Sequence, residues 1–171
     1  MKQILLLRHA KSSWEHGSMD DFKRPLAERG LKDAPKMGGF LKETGNMPDQ
    51  IISSTAQRAK ETTELALAGM KKDHDIISWN QDLYYGGMGD YLKAIQSLDS
   101  NVERVMLVGH NPKIEDTAGA LMGSGGAANL RMPTAALVCL STYVEDWKQV
   151  GWGCCQLTWM MIPKVLKHIY D

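Results

Sequence analysis

Two short apolar runs, Ile4-Leu5-Leu6-Leu7 and Val105-Met106-Leu107-Val108, give way abruptly to polar segments that each carry a histidine. Unbroken apolar runs of this length suit strands covered on both faces, as the inner strands of a parallel sheet are. With helical periodicity between them, the chain is predicted to be α/β, a three-layer sandwich with helices on both faces of a mostly parallel central sheet. Ligands of such sheets gather beyond the carboxyl ends of the strands. Arg8 and His9 close the first run, and Gly109 and His110 the second.

The stretch from His9 to Arg24 has no periodicity and reads as a long loop over the strand ends. After Pro25, Leu31, Ala34, Gly38 and Leu41 fall on one helical face as far as Gly45, with Pro35 expected to kink that helix or delay its start. Gln50 to Ser53 is a second strand. Ser54-Thr55-Ala56-Gln57 has the form of a capping box, and the helix that follows has the inward stripe Ala59, Thr62, Thr63, Ala66 and Met70. Arg58 then sits on its first turn, where unpaired amides and the helix dipole favour an anion.

Asp75 to Trp79 reads as a third strand, Asp82 to Gly89 as a loop, and Tyr91, Leu92, Ile95 and Leu98 as a helix. Asn111 is a good helix cap and Pro112 suits a first helical position. Gly123-Ser124-Gly125-Gly126 leads into no convincing helix and is set aside as a nucleotide loop. Ala136 to Leu140 and the alternation of Leu157, Trp159 and Met161 predict an antiparallel C-terminal edge hairpin, followed by a short basic helix from Pro163.

A chain of 171 residues can bury one core, so residues 1–171 are read as one domain. Lys plus Arg and Asp plus Glu both number 20, which gives no global charge to attract nucleic acid or an anionic membrane. Only four strongly apolar residues precede Arg8, too few for a signal peptide, and a cytoplasmic location is expected. Cys139, Cys154 and Cys155 lack zinc-site spacing and are odd in number, which favours reduced, packed thiols. The tryptophans and methionines are read as packing, with Trp14 as a pocket wall. His16, His74 and His168 are read as solvated.

Arg8, His9, Arg58 and His110 come from two strand ends and one helix start, a pattern that suits a phosphate site containing a histidine. With Leu7-Arg8-His9-Ala10-Lys11-Ser12-Ser13-Trp14, Arg24-Pro25-Leu26, Glu28-Arg29-Gly30, Arg58-Ala59, Leu83-Tyr84, Val108-Gly109-His110-Asn111-Pro112 and Pro133-Thr134-Ala135-Ala136, the chain resembles the histidine phosphatase superfamily, also called phosphoglycerate mutase-like. Within it the chain looks most like the small SixA-type phosphohistidine phosphatases. The resemblance implies a metal-independent phosphatase without a cofactor, in which His9 attacks phosphorus and becomes phosphohistidine. Arg8 and Arg58 would hold the transferred group, and His110, if protonated, would add a third donor.

A neutral imidazole can attack without a separate base at neutral pH, and guanidinium forks match phosphoryl oxygens. Ser12, Arg24 and Tyr85 are candidates for substrate contact. Similar small phosphatases commonly carry glutamate where this chain has Tyr85, a poor acid near neutrality. Asp82, Asp90 and Glu115 are the candidate replacements. Phosphohistidine in a phosphorylated protein, or an aryl phosphate, is therefore the expected substrate. A small phosphate ester or a phosphoglycerate mutase-type transfer is the alternative.

Overall fold

The computed structural model describes residues 1–14, 20–124 and 130–170, with no side-chain description for 168–170. Its strands are β1 (Lys2–Arg8), β2 (Gln50–Ser53), β3 (Ile77–Trp79), β4 (Arg104–Gly109), β5 (Leu137–Thr142) and β6 (Gln156–Met161). They form a six-stranded sheet in the order β3-β2-β4-β1-β5-β6. The first four are parallel to one another, and β5 runs antiparallel to both β1 and β6. The helices are α1 (Glu28–Glu43), α2 (Gln57–Met70), α3 (Asp82–Tyr85), α4 (Met88–Gln96), α5 (Lys113–Leu121) and α6 (Pro163–Tyr170).

Strand alternation divides the core in two. Ile4, Leu6, Val105 and Leu107 meet Tyr91 and Ile95 of α4 and Ile114 and Leu121 of α5. Leu5, Leu7, Met106 and Val108 meet Leu41 of α1, Leu67 of α2 and Leu166 of α6. The eight strand residues are all fully buried, each stabilising the fold by about 1.5–3 kcal/mol relative to exposure. This is why the two runs lack polar residues. On one layer α1 and α2 approach closely, because a Cβ at Gly38 would collide with the Ala66 carbonyl and one at Gly69 with that of Pro35.

The register of the two inner strands places the histidines. Leu7 faces Val108 and Arg8 faces Gly109 across the β1–β4 ladder, and one step further the His9 amide donates to the Gly109 carbonyl at 3.0 Å. His9 and His110 thus leave the same edge side by side.

Several local expectations change. The capping box does not form: α2 begins after Ala56 without a side-chain cap, and Ser54 turns towards His110 instead. Asn111 does not cap α5, which starts one residue later than expected; its amide donates to Glu115 and to the Met132 carbonyl. The stretch read as a loop from Asp82 holds α3, opened by a hydrogen bond from the Asp82 amide to Asn80, and the start of α4, where Asp90 caps Gly87. Single-turn helices are too short to show a period.

Helix α1 runs through Pro35 rather than starting after it, and Leu31 is 48% exposed, outside the buried stripe. Of the tryptophans, Trp147 is fully buried, whereas Trp14, Trp79 and Trp152 are exposed. The three cysteines are free, with Cys139 and Cys155 buried. His16 and Gly125-Gly126 lie outside the described residues, as does the side chain of His168. No helix among the described residues is long and apolar enough to cross a membrane.

Candidate active site

His9 follows directly on β1 and is 7% exposed. Its Nδ1 lies 2.7 Å from the Ala10 carbonyl. A carbonyl only accepts, so Nδ1 carries the proton and Nε2 keeps its lone pair. Consistently, the Arg58 Nε–H donates to His9 Nε2 at 3.3 Å. Burial pushes the imidazole down to about 3; the Ala10 carbonyl opposes this, and the guanidiniums of Arg58, Arg8 and Arg24 add to it. The resting ring is therefore neutral at pH 7. Ala10 fits where the superfamily has glycine: it is buried, its amide donates to Thr62 Oγ1 at 3.0 Å, and it is not among the described residues with positive φ.

His110 packs against His9 with ring centroids 5.1 Å apart. Its Nε2 lies 2.7 Å from Ser54 Oγ, which also accepts the Ala56 amide at 3.3 Å. Nδ1 of His110 is buried with no hydrogen-bond partner among the described residues. Burial pushes this imidazole down to about 2, helped by His9, Arg58 and Lys113 and opposed by Asp21. The condition on which the sequence makes His110 a third donor, a protonated ring, is not met in this resting state. Behind the ring, the Tyr91 hydroxyl accepts the His110 amide at 3.2 Å and donates to the Leu83 carbonyl. A Cβ on Gly109 would strike that hydroxyl, which is why glycine precedes the histidine.

The two rings open on a cavity of about 360 Å³ whose lining, among the described residues, carries the cations Arg8, Lys11, Arg24 and Arg58 and the single carboxylate Asp21. Neutral histidines leave the site strongly positive. Arg58 is 5% exposed on the first turn of α2, and its Nη1 and Nη2 donate to the Asp21 carbonyl at 2.6 Å and to Asp21 Oδ2 at 3.1 Å. Arg8 donates to the Met132 carbonyl at 2.8 Å, leaving its buried Nε without a partner among the described residues. Arg24 donates to Ser12 Oγ at 2.7 Å, pairs with Asp21 at 3.0 Å, and stacks under Trp14 at 3.8 Å. Ser12, Arg24 and Trp14 all line the cavity.

Tyr85 does not. It is 68% exposed and stacks on Phe22, while its neighbour Tyr84 packs edge-on against His110 at 5.4 Å and donates to Asp21 Oδ2 at 2.9 Å. Asp82 and Asp90 are also absent from the lining, and Glu115 is taken up behind Arg8, accepting the Met132 amide at 2.6 Å. The carboxylate that does reach the cavity is Asp21. Its partial burial raises its pKa, but the Tyr84 hydrogen bond and the guanidiniums of Arg58 and Arg24 outweigh this and hold it lowered. Asp21 is therefore a counter-ion, ionised at neutrality.

The sequence pattern of the histidine phosphatase superfamily, branch 1, matches residues 4–90 of this geometry's framework. The chain belongs to that superfamily. An uncharacterised protein from Mycobacterium tuberculosis is 30% identical over 165 residues, spanning 92% of this chain and 100% of its own. Among solved structures, a candidate phosphohistidine phosphatase SixA from Agrobacterium tumefaciens is 30% identical with a TM-score of 0.78, covering 95% of this chain and 98% of that one. The protein histidine phosphatase SixA complexed with tungstate shares the fold at 21% identity, with a TM-score of 0.81 and coverage of 96% and 99%. This histidine phosphatase has the SixA-type architecture, with the phosphoglycerate mutase-like sheet.

Asp21, Ser54, Tyr84 and Tyr91 are the residues around the site that sequence reasoning missed. Asp21 lies in an aperiodic stretch, and the local spacing at Ser54 fits a helix cap equally well. Tyr91 is core, as its helical period predicts, but its hydroxyl at the His110 amide has no sequence signal.

Proposed function

We propose that this histidine phosphatase hydrolyses phosphohistidine on a phosphorylated protein through a covalent phosphoryl intermediate on His9. The observation that carries this reading is the fixed tautomer of His9, with Nδ1–H tied to the Ala10 carbonyl and the Nε2 lone pair held against Arg58 in a cationic cavity. The arriving phosphoryl group replaces the lone pair as partner of the Arg58 Nε–H. Nε2 then bonds to phosphorus as the P–N bond of the substrate breaks, and that bond's electron pair returns to the leaving nitrogen. The Ala10 carbonyl stabilises the positive charge that develops on the ring of His9. Water next attacks the phosphorus of phospho-His9, the P–Nε2 bond breaks, and inorganic phosphate and neutral His9 are released.

Arg8, Arg58 and Arg24 neutralise the equatorial oxygens, the main requirement of phosphoryl transfer. In our reading Ser54 keeps its accepted bond from Ala56 and donates its hydroxyl to His110 Nε2. The His110 proton then sits on Nδ1, the buried atom with no other partner, and a neutral ring donates to the phosphoryl group. His110 serves as a donor without becoming imidazolium.

Substrate class follows from proton supply. Asp21, the one carboxylate in the lining among the described residues, is ionised and cannot protonate a leaving oxygen. An alkoxide therefore leaves poorly, whereas a phosphohistidine nitrogen takes a proton from solvent and departs as neutral imidazole, and a phenolate of low basicity leaves unaided. The likeness at 30% identity to a protein described as a candidate phosphohistidine phosphatase supports this choice. Free, buried cysteines fit a reducing cytoplasmic setting.

The test compares turnover of a phosphohistidine peptide, p-nitrophenyl phosphate and a phosphoserine peptide, with trapping of labelled phosphate on wild type and His9→Ala. The expected result is label on wild type only and a phosphoserine rate far below the other two. Comparable alkyl ester cleavage overturns the substrate class, and appreciable turnover by His9→Ala removes the nucleophile.

A further inference from the structure

Thr134 belongs to two concavities. On one side it lines the phosphoryl cavity; on the other it lines a second groove of about 470 Å³ between α1 and α6. Arg29 donates to Thr134 Oγ1 at 3.1 Å, so a single side-chain pair forms the ridge between them. The second groove carries Arg29, Lys32 and Lys36 on α1 and Lys164 and Lys167 on α6, over a floor that includes Ile162 and Pro163. Five of the 20 basic residues in a chain with 20 acidic ones thus line one groove, against Asp33 as the single lining carboxylate among the described residues.

Little of this charge is compensated. Asp33 pairs with Arg29 at 3.8 Å, and the exposed Glu28 holds Lys32 at 2.6 Å, an exposed helix pair of small worth. Among the described residues, Lys36, Lys164 and Lys167 make no ion pair. The first turn of α6, which begins at Pro163 inside the groove, adds the positive end of a helix dipole.

We propose that this groove docks an acidic polypeptide segment next to the phosphorylated residue, so that substrate protein is held on both sides of the Arg29–Thr134 ridge. The proposal rests on the reading of the substrate as a phosphoprotein and names the chemistry of its flank. A segment fits better than a small polyanion. In the phosphoryl cavity, Arg58 is buried and its fork is fixed by Asp21. The groove cations, in contrast, are all exposed and project from two separate helices as flexible point charges. That arrangement attracts a row of carboxylates without caging any one of them. Lys32 and Lys36 stand about 6 Å apart along α1, which is close to the roughly 6.6 Å between alternate side chains of an extended peptide. Acidic residues at alternate positions match this rail.

The test uses fluorescent, unphosphorylated peptides of one length with a central histidine and a flank of either glutamates or glutamines. Binding is read by anisotropy for the wild type and for Lys36→Glu/Lys164→Glu/Lys167→Glu. The glutamate peptide is expected to bind on the order of tenfold more tightly at low salt, and the preference should shrink as ionic strength rises. The triple variant should lose the preference while hydrolysing p-nitrophenyl phosphate at the wild-type rate, and the matching Lys→Gln variant should fall between.

Equal binding of the two peptides overturns the proposal. So does a preference that survives the triple variant, or a groove that takes inorganic tripolyphosphate but not the glutamate peptide. Because the probe carries no phosphate, the result stands apart from turnover. Failure to hydrolyse phosphohistidine would sink the proposed function, and failure to discriminate the flanks would sink the docking groove.

Discussion

Lowering the pH from 7 to 5 should destabilise this protein through its two active-site histidines by an amount the structure sets. Both are buried, at 7% and 6% exposure, and burial is the leading reason that His9 falls to about 3 and His110 to about 2. In the unfolded chain each titrates near 6.5. The folded pKa values are depressed, so the unfolded state binds more protons below 6.5, and stability that is present above that pH is lost as pH falls towards the folded values.

Between pH 7 and 5 the unfolded chain gains most of one proton per histidine and the folded chain gains almost none, which costs about 2 kcal/mol each and about 4 kcal/mol together. Any folded value below about 4 gives the same figure. Against a typical stability of about 5–15 kcal/mol this is a large share. Urea unfolding at pH 7, 6 and 5 measures it in the wild type, His9→Gln, His110→Gln and the double variant. Each single substitution should remove about 2 kcal/mol from the pH-dependent loss and the double about 4. Asp21, whose pKa is lowered below the ordinary carboxylate range, titrates under this window and does not blur it. Parallel pH dependence in the wild type and the double variant would refute the buried, neutral pair.

Ser54→Ala leaves His110 Nε2 buried and unpaired; kcat/KM should fall by about 10- to 100-fold, matching about 1–3 kcal/mol, and Ser54→Thr should recover part of it. Gly109→Ala drives the Tyr91 hydroxyl off the His110 amide and should cost about 1–3 kcal/mol in thermal or urea unfolding, with a parallel loss of activity. Asp21→Asn removes a negative charge from the lining; inorganic phosphate, assayed as a competitive inhibitor, should bind about five- to tenfold more tightly, the effect of roughly 1 kcal/mol between charges screened by water.

The frame of the site was legible because it depends on burial and strand order. Ile4 to Leu7 and Val105 to Val108 had to lie in the middle of the sheet, and whatever followed them had to emerge at its edge. Arg58 was legible from its place on a helix turn. Asp21 and Ser54 were not, because each owes its role to a partner far along the chain: Arg58 lies 37 residues from Asp21, and His110 lies 56 from Ser54. The Tyr84–Tyr85 pair shows the same limit at one-residue resolution. Both sit in one turn of helix and both touch Phe22, but Tyr84 alone of the two packs on the histidine, with its hydroxyl held by Asp21.

Burial and charge together set the protonation states of the site. A cavity that is to bind a phosphoryl dianion must be positive, yet a positive cavity suppresses any further cation, including an imidazolium. The arginines cannot yield, since guanidinium keeps its proton under every relevant condition; the histidines do, chiefly because they are buried and further because of that charge. That outcome suits His9, whose lone pair is its reactive part, and would disable His110 were its donor role dependent on an acquired charge. In the proposed mechanism the serine beside it removes the dependence by donating to Nε2, which leaves the hydrogen of the neutral ring on Nδ1. Asp21 completes the balance from the other direction: by holding two arginines in place it becomes too well stabilised as an anion to give up a proton. On the proposed function, the same charges that make this pocket receptive to phosphate thereby disfavour leaving groups that need an acid.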